Sequence, residues 1–401
     1  MGPIFAQLDQ RLSRHDARPV ALALSGGGDS LALLLIAADW ARANGRRLLA
    51  LTVDHRLSPE SPGWTAFAEE AARRMRADWR GLTWIGSKPT RGRPAAARQA
   101  RHRLLAEAAR KAGAHVLLMA HTADDVAENA WMRTQGSTLG RLTAWSPSPV
   151  WPEGRGLMIL RPLLGERREA LRDLLRDRDQ RWIEDPANAD PDQLRARARR
   201  ALAGRISTPA PPQPEPPPLD AVVDLLAGSA RLPAGSPWLA HAIACVSGRA
   251  DLPRRDRVEA ARARLCAEER ATLGGVDLRA EGDGLTLTRE PGRSPPSSMR
   301  LQPGETRVWD GRFEVSAKEG GWTIAPSRGH AVRLAPTDRV RLRALPTAAR
   351  PALPVLFREG DASPVLASPA VSLRCLVGDR LRLASGGART EADLISPDMA
   401  N

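Results

Sequence analysis

Val20-Ala21-Leu22-Ala23-Leu24-Ser25-Gly26-Gly27-Gly28-Asp29-Ser30 is the stretch that decides the fold. A short apolar run predicts a buried strand, three glycines interrupt it, and an apolar helical stretch follows from Ser30 to about Asn44. Glycines let the backbone wrap closely around phosphate oxygens, and a helix N-terminus adds positive potential. The pattern is neither the Walker loop nor the spaced-glycine dinucleotide loop. We predict a phosphate-binding loop, the alternative being a tight turn with a serine or aspartate cap. The predicted phosphate-binding residues are Ser25, Gly26, Gly27, Gly28, Asp29 and Ser30.

Strands and helices alternate on both sides of this loop. Further strands are predicted at 48–53, 82–85 and 115–120, and further helices at 64–76, 95–112 and from about 124. This alternation predicts an α/β fold, a doubly wound and mostly parallel sheet with helices on both faces. In such sheets ligands bind beyond the carboxyl ends of the strands. The residues that follow each strand are therefore the candidates for a site.

The rest of the chain predicts further domains. Seven prolines within 209–218 indicate an extended linker, which we place at 206–219, after a catalytic domain at 1–205. Helices are predicted at 220–226 and 254–270, and short strands at 285–288 and 312–315. These elements predict a smaller α+β domain over 220–335. Residues 336–401 are rich in Pro, Gly and Ser and form a short C-terminal region of uncertain fold.

Composition excludes several classes of protein. The chain has 401 residues, 42% of them hydrophobic, and no apolar run approaches the ~20 residues that span a bilayer. We expect a soluble, cytoplasmic protein of several domains. The three cysteines, Cys245, Cys266 and Cys375, are widely separated, so no C-x-x-C pattern exists for zinc or redox chemistry.

The positive charge is uneven. Of the formal net charge of +14, residues 1–205 carry +11 and residues 206–401 carry +3. A polyanion such as nucleic acid would dock on the N-terminal part, but arginines on solvated helices would give the same sum. Charge alone leaves the two alternatives equal.

Carboxylates follow the fourth predicted strand. Asp125 and Glu128 are three residues apart and lie on one face of the helix that begins near Asp124. Such a pair is suited to hold Mg²⁺ beside phosphate groups or to orient a substrate amine. The alternative is that Asp124 caps the helix and the other two complement its dipole.

Six segments together, in this order and spacing, carry a resemblance to a known family. They are the loop at 25–30, Val53-Asp54-His55-Arg56-Leu57, Ala97-Arg98-Gln99-Ala100-Arg101-His102, His121-Thr122-Ala123-Asp124-Asp125-Val126-Ala127-Glu128, Arg161-Pro162-Leu163-Leu164 and Trp182-Ile183-Glu184-Asp185-Pro186-Ala187-Asn188. With them the chain resembles the tRNA(Ile)-lysidine synthase family of the PP-loop ATP pyrophosphatase superfamily, whose sheet is Rossmann-like. Weaker similarity extends over nearly the whole chain.

The resemblance implies an activity and its participants. ATP would adenylate the wobble cytidine of tRNA(Ile) with a CAU anticodon, and L-lysine would displace AMP to form lysidine. It implies ATP and Mg²⁺ as cofactors and the 25–30 loop as the ATP-binding element. Asp125, Glu128 and Arg101 would be catalytic, with Asp125 also the candidate Mg²⁺ ligand, and recognition of tRNA would fall to 220–335. No membrane partner is implied, and protein partners are unknown.

Departures from the family pattern leave alternatives open. Thr122 stands where a second histidine is usual, His102 where a tyrosine is common, and Gln135 where an arginine is usual. A catalytically degenerate tRNA-binding protein of the same fold is therefore the alternative function. A tRNA thiolase is the nearest rival enzyme, but it needs cysteines near the ATP site, and residues 1–244 contain none.

Overall fold

The computed structural model describes residues 2–86, 88–137, 140–185, 193–203, 217–290, 292 and 295–394. They belong to two compact units, the first from Met1–Glu215 with Ala388–Asn401 and the second from Pro216–Gly387. The predicted linker at 206–219 lies outside the described residues except for its last three positions. None of the helices in the described ranges is long and apolar enough to cross a membrane.

The first unit is built on a six-stranded sheet. Its strands are β1 (Val20–Ala23), β2 (Leu48–Asp54), β3 (Asp78–Thr83), β4 (Val116–Leu118), β5 (Trp145–Pro147) and β6 (Met158–Leu160). Its helices are α1 (Gly2–Arg11), α2 (Gly28–Ala43), α3 (Ser61–Arg74), α4 (Arg93–Lys111), α5 (Ala123–Thr134), α6 (Arg168–Asp177) and α7 (Leu194–Leu202). The strand order is β3-β2-β1-β4-β6-β5, parallel except for the β5–β6 pair. The predicted doubly wound, mostly parallel sheet is confirmed.

The order of the strands indicates where on the sheet a ligand would bind. β1 pairs with β2 on one side and β4 on the other, so the chain reverses its direction of travel across the sheet between them. Open α/β sheets bind ligands in the crevice at such a switch point. The glycine loop follows β1 and the His121-Thr122 segment follows β4, so both border this crevice.

The core explains why the middle of α2 is continuously apolar. Its residues Leu31–Ala38 are all buried, as expected of a helix covered on every side. On β1 and β2, Ala21, Leu49 and Leu51 pack with side chains of α4 in one cluster. The loop therefore leads from a buried strand into a buried helix, which holds both of its ends in place.

The second unit contains three antiparallel sheets. Its strands are β7 (Val222–Asp224), β8 (Ser229–Pro233), β9 (Arg270–Leu273), β10 (Val276–Glu281), β11 (Gly284–Arg289), β12 (Met299–Arg300), β13 (Thr306–Trp309), β14 (Phe313–Ala317), β15 (Trp322–Pro326), β16 (Pro354–Arg358) and β17 (Val371–Cys375). Its helices are α8 (Leu239–Ser247), α9 (Arg255–Glu268), α10 (Pro336–Ala344) and α11 (Val377–Ala384). The sheet orders are β7-β8-β11-β10-β9, β12-β15-β16 and β13-β14-β17.

Two local predictions are wrong. The helix predicted at 220–226 is the strand β7, which pairs antiparallel with β8. Asp224 Oδ1 accepts hydrogen bonds from the backbone N–H groups of Leu226 and Ala227, both at 2.9 Å, and this turn ends the strand. The third strand of the first unit is Asp78–Thr83 rather than 82–85, because its pairing with β2 begins at Asp78.

Candidate active site

The glycine loop is closed on one side by the segment that follows α6. Gly26 has a φ of +84°, and a Cβ there would lie 2.6 Å from Ile183 Cδ1. The Ile183 N–H donates to the Gly26 carbonyl at 2.9 Å, and Gly27 forms a parallel bridge with Ile183. Glycine is therefore required at position 26 by both conformation and packing. Trp182 and Ile183, which begin the last of the six resemblance segments, are thus part of the loop's wall.

The two loop serines brace the loop from inside. Ser30 Oγ donates to the Gly27 carbonyl at 2.8 Å and accepts from the Ser25 N–H at 3.2 Å. The two hydroxyl oxygens lie 3.1 Å apart. The first-turn N–H groups of α2, by contrast, have no acceptor within the helix. The loop therefore presents backbone N–H groups to an anion while Ser30 fixes its shape.

Thr122, not Asp124, caps α5. The Asp125 N–H donates to Thr122 Oγ1 at 3.4 Å, and Asp125 Oδ2 accepts from the Thr122 N–H at 2.8 Å, which is a reciprocal capping box. Asp124 instead accepts from the Arg168 backbone N–H at 2.8 Å and from Arg167 Nε at 3.1 Å. The alternative in which Asp124 caps the helix is wrong. Threonine at 122, a departure from the family pattern, has a structural role of its own.

Three carboxylates converge on the guanidinium of Arg168. Its Nε lies 3.1 Å from Asp29 Oδ2, its Nη1 3.1 Å from Glu128 Oε1 and its Nη2 3.4 Å from Asp125 Oδ1. The loop after β1 supplies Asp29, and α5 supplies the other two. The structure thus unites the loop with both predicted catalytic carboxylates around an arginine at the start of α6.

These carboxylates differ in electrostatic environment. Burial raises the pKa of Asp29, and the negative charge of Asp125 raises it further. The positive charge of Arg168 lowers this pKa, but by less than the other two effects raise it. Burial acts in the same direction on Asp125, but the charge of Arg168 and the hydrogen bond from the Thr122 N–H hold the pKa of that carboxyl below its usual value. Asp125 therefore stays ionised at neutral pH although its side chain is 8% exposed.

Glu128 is held from a second side by α7. Arg199 Nε lies 2.9 Å from Glu128 Oε1, and Arg195 Nε lies 3.5 Å from Glu128 Oε2. Two arginines of α7 therefore reach the carboxylate cluster from this second side.

Arg98 and Arg101 on α4 supply positive charge without a paired acid. Neither forms an ion pair within the part of the chain that the structure describes, and Arg101 Nε has no hydrogen-bond partner there. Burial and the charges of Arg98 and Arg195 lower the pKa of Arg101 to about 10, so it remains protonated at neutral pH. Both lie near enough to Asp125 to interact with its charge, and guanidinium groups suit the binding of a phosphate group.

Two histidines at the site are neutral. Arg161 Nε donates to His121 Nδ1 at 3.2 Å, which leaves the proton of the neutral imidazole on Nε2. Burial lowers the pKa of His121 to about 3, and burial together with Arg101 lowers the pKa of His102 to about 2. Neither ring carries a charge under physiological conditions.

A separate cavity of about 780 Å³ opens at the ends of β2 and β3. Its lining includes Asp54 at the end of β2, Arg56 and Ser58 from the segment that follows, Thr65 from α3 and Thr83 from β3. None of the loop residues 25–30 lines it. His55 borders this region, and its ring meets the ring of Trp84 edge-on at 6.0 Å.

Comparison with known proteins agrees with this geometry. The PP-loop domain family model matches residues 3–206. A tRNA(Ile)-lysidine synthase of Caulobacter vibrioides is 44% identical, with 96% of this chain and 98% of that protein covered. Another, from Mesorhizobium japonicum, is 36% identical over 84% of this chain and 81% of that protein. The chain belongs to the tRNA(Ile)-lysidine synthase family.

Comparison with one solved structure gives low similarity. The U34-tRNA thiolase NcsA from Methanococcus maripaludis has a TM-score of 0.42 and 17% identity, over 50% of this chain and 72% of that chain. The family membership rests on the sequence relatives. The Caulobacter vibrioides relative confirms the predicted family, and the family model confirms the predicted PP-loop domain.

The tRNA(Ile)-lysidine synthase family also implies Mg²⁺, and the chain's donors suit it. Within the described ranges no group of three or more His, Cys, Asp or Glu residues is placed to hold a metal ion. Magnesium, however, is commonly bound by one or two carboxylates together with substrate phosphates. Asp29 and Asp125 are close enough to raise the pKa of Asp29, and both offer oxygen ligands. The donor set therefore fits an ion that ATP would help to coordinate.

Sequence reasoning did not single out Arg168. It stands four residues after the segment Arg161-Pro162-Leu163-Leu164, in a chain with 57 arginines, and no motif residue beside it marks it. In sequence it lies 139 residues from Asp29, 43 from Asp125 and 40 from Glu128. The packing of α6 against α2 brings Arg168 to Asp29, and the bond from the Arg168 N–H to Asp124 brings it to the start of α5.

Proposed function

We propose that this chain is an ATP-dependent ligase that attaches L-lysine to the wobble cytidine of tRNA(Ile) with a CAU anticodon. The observation that carries the proposal is the convergence of Asp29, Asp125 and Glu128 at the switch-point crevice, where the glycine loop begins α2. The glycine loop suits a polyphosphate, and the carboxylates suit a cationic or amine substrate.

The first step would be adenylation. The oxygen on carbon 2 of the cytidine would attack the α-phosphorus of ATP, and pyrophosphate would leave. The loop N–H groups and the N-terminus of α2 would bind the departing pyrophosphate. Arg98 and Arg101, which lack acid partners among the described residues, would stabilise negative charge in the transition state. Mg²⁺, held by Asp125 with Asp29, would supply further charge neutralisation of the phosphates.

The second step would be attack by lysine. The side-chain amine would form the new bond to carbon 2, AMP would leave with the bridging oxygen, and the amine would lose a proton. Asp125 and Glu128 would orient the amine, because they lie on one side of α5 and both already bind a cationic group, that of Arg168. For this a carboxylate must exchange its contact with Arg168 for one with the substrate.

We further propose that the α+β region at 220–335 contributes to tRNA recognition and that the protein works in the cytoplasm. Anticodon bases are single-stranded and can be splayed out and recognised individually. The basic first unit would attract the tRNA backbone without sequence preference, so selection would fall to the other unit.

Lysine incorporation tests the proposal. The purified chain is incubated with labelled lysine, ATP and an unmodified CAU-anticodon transcript, and label in the tRNA is counted. We expect incorporation that depends on ATP and a loss of about 100-fold or more in Asp125→Asn. Asp173→Asn, an exposed acid on α6, is the matched control and should retain full activity. Binding of tRNA without incorporation by the unaltered chain would instead favour the degenerate tRNA-binding protein.

A further inference from the structure

A fully buried ion pair within the first unit joins Arg46, between α2 and β2, to Glu391. The side chains of Arg46 and Glu391 are both 0% exposed. Arg46 Nη1 donates to Glu391 Oε2 at 2.8 Å, and Arg46 Nη2 donates to Oε1 at 3.0 Å, a bidentate pair between residues 345 positions apart. A charge enclosed in this way needs its partner, because removal of one leaves the other buried without compensation.

Residues 388–394, here called the C-terminal strap, make further contacts with the same unit. The Glu391 N–H donates to the Arg11 carbonyl at 2.7 Å, and the Ser13 N–H donates to Glu391 Oε2 at 2.9 Å. Trp145 Nε1 donates to the Ala388 carbonyl at 2.7 Å. Within the strap, Asp393 Oδ2 accepts from the N–H groups of Arg389 and Thr390, both at 2.8 Å. The strap is therefore bonded through backbone and side chains, with Glu391 at its centre.

The Trp145 contact leads to the candidate active site. Trp145 begins β5, a three-residue edge strand that is only half-buried. Around it, the Thr143 carbonyl accepts from Arg161 Nη1 at 2.8 Å, and Ser146 Oγ accepts from the same nitrogen at 3.0 Å. Arg161 in turn donates to His121. A short edge strand has few ladder bonds of its own, so the strap's bond to Trp145 adds to what holds these acceptors in place.

We propose that the C-terminal strap is an integral part of the catalytic unit and that it positions Arg161 and His121 through Trp145. The unit is then assembled from two stretches of chain, and the second unit is inserted between them. Glu391 and Trp145 are positioning residues that act through other side chains. The activity readout rests on the proposed function, whereas the structural readouts do not.

Hydrogen exchange of the full-length chain is the first test. The N–H groups of Ser13 and Glu391 are bonded across the strap, so peptides covering 9–15 and 388–394 should both be protected for at least minutes. In Glu391→Gln, protection of both peptides should fall by about 10-fold or more. Complete exchange of 388–394 within seconds in the unaltered chain would overturn the proposal.

Two conservative variants separate positioning from folding. Trp145→Phe removes one N–H donor and keeps the ring, so we expect folded protein with kcat for lysine incorporation about 5-fold to 10-fold lower and an unchanged KM for ATP. Trp322→Phe is the control, because its indole N–H has no partner in the described part of the chain. Glu391→Gln should lower the unfolding temperature by about 5 °C or more, against no shift for the exposed Glu359→Gln.

The outcomes are separable from failure of the proposed function. If Glu391→Gln does not fold, Trp145→Phe decides the positioning role. If the unaltered chain incorporates no lysine, exchange protection and unfolding temperature still test the strap. Values of kcat, exchange and unfolding temperature that match the control variants would overturn the proposal.

Discussion

Replacement of Arg168 by glutamine removes the cation that the three site carboxylates share. Asp29 loses its only ion-pair partner among the described residues, whereas Asp125 keeps its two bonds from Thr122 and Glu128 keeps Arg199 at 2.9 Å. The charge of the cluster also becomes more negative by one. We therefore expect a less stable first unit and a disordered arrangement of the acids.

The size of the effect follows from the contacts. A hydrogen bond to a charged group contributes about 1.5–3 kcal/mol, and breaking a buried pair costs about 3–5 kcal/mol. Because Asp29 is 23% exposed and the other two acids keep partners, we expect a loss of about 2–4 kcal/mol in the free energy of unfolding. For a unit of about 200 residues this lowers the unfolding temperature by roughly 5–15 °C.

Activity should fall further than stability explains. Misplacement of reacting groups by about 1 Å costs about 100-fold in rate, so we expect kcat for lysine incorporation to fall by about that factor in Arg168→Gln at a temperature where the variant is folded. Arg168→Lys keeps the charge but not the fork, and should recover about 10-fold of the loss. Added guanidinium ion should restore part of the activity of Arg168→Ala.

The matched control is Arg176→Gln, the same change two turns along α6, where both acid partners are exposed. It should alter neither kcat nor the unfolding temperature measurably. The reasoning is refuted if Arg168→Gln behaves like this control, or if Arg168→Lys is as inactive as Arg168→Gln.

Three further predictions concern the loop and the buried groups around it. Gly26→Ala should weaken ATP binding, measured by calorimetry, by about 10-fold or more. The control is Gly86→Ala, which should leave ATP binding unchanged, because Gly86 also has a positive φ (+98°) but has open space around it. Equal ATP affinities of the two variants would contradict the packing argument. Arg101→Gln should lower kcat by about 10-fold to 100-fold, while the unfolding temperature stays the same or rises. The reason is that the change removes a buried cation that has no acid partner among the described residues. A destabilised variant with unchanged kcat would contradict this prediction. The folded-state pKa values of His102 and His121, about 2 and 3, lie below the unfolded value near 6.5, so the unfolded chain binds protons first as pH falls. Stability should be fully present above pH 6.5 and decline towards pH 4 in urea titrations, with a shallower decline in His102→Gln; identical slopes would disprove the contribution of His102.

The sequence by itself determined the glycine loop and the type of sheet that carries it. Three adjacent glycines between an apolar strand and an apolar helix allow few other structures, because the requirement at Gly26 for positive φ is a local property of the backbone. The order of the family segments also placed Asp125 and Glu128 after the fourth strand, as observed. Short-range patterns were sufficient for all of these.

Only the tertiary structure decided which charges meet. Arg168 and the three acids lie 40–139 residues apart, and nothing local marks one arginine among 57 as their partner. The strand at 222–224 likewise depends on β8 beside it, which overrode a helical prediction. The strap is the extreme case, since Arg46 and Glu391 are ordinary surface residue types until 345 positions of chain fold to bury them together. Local conformation is a property of neighbouring residues, whereas ion pairing depends on distance in space, and only the packed chain sets that distance.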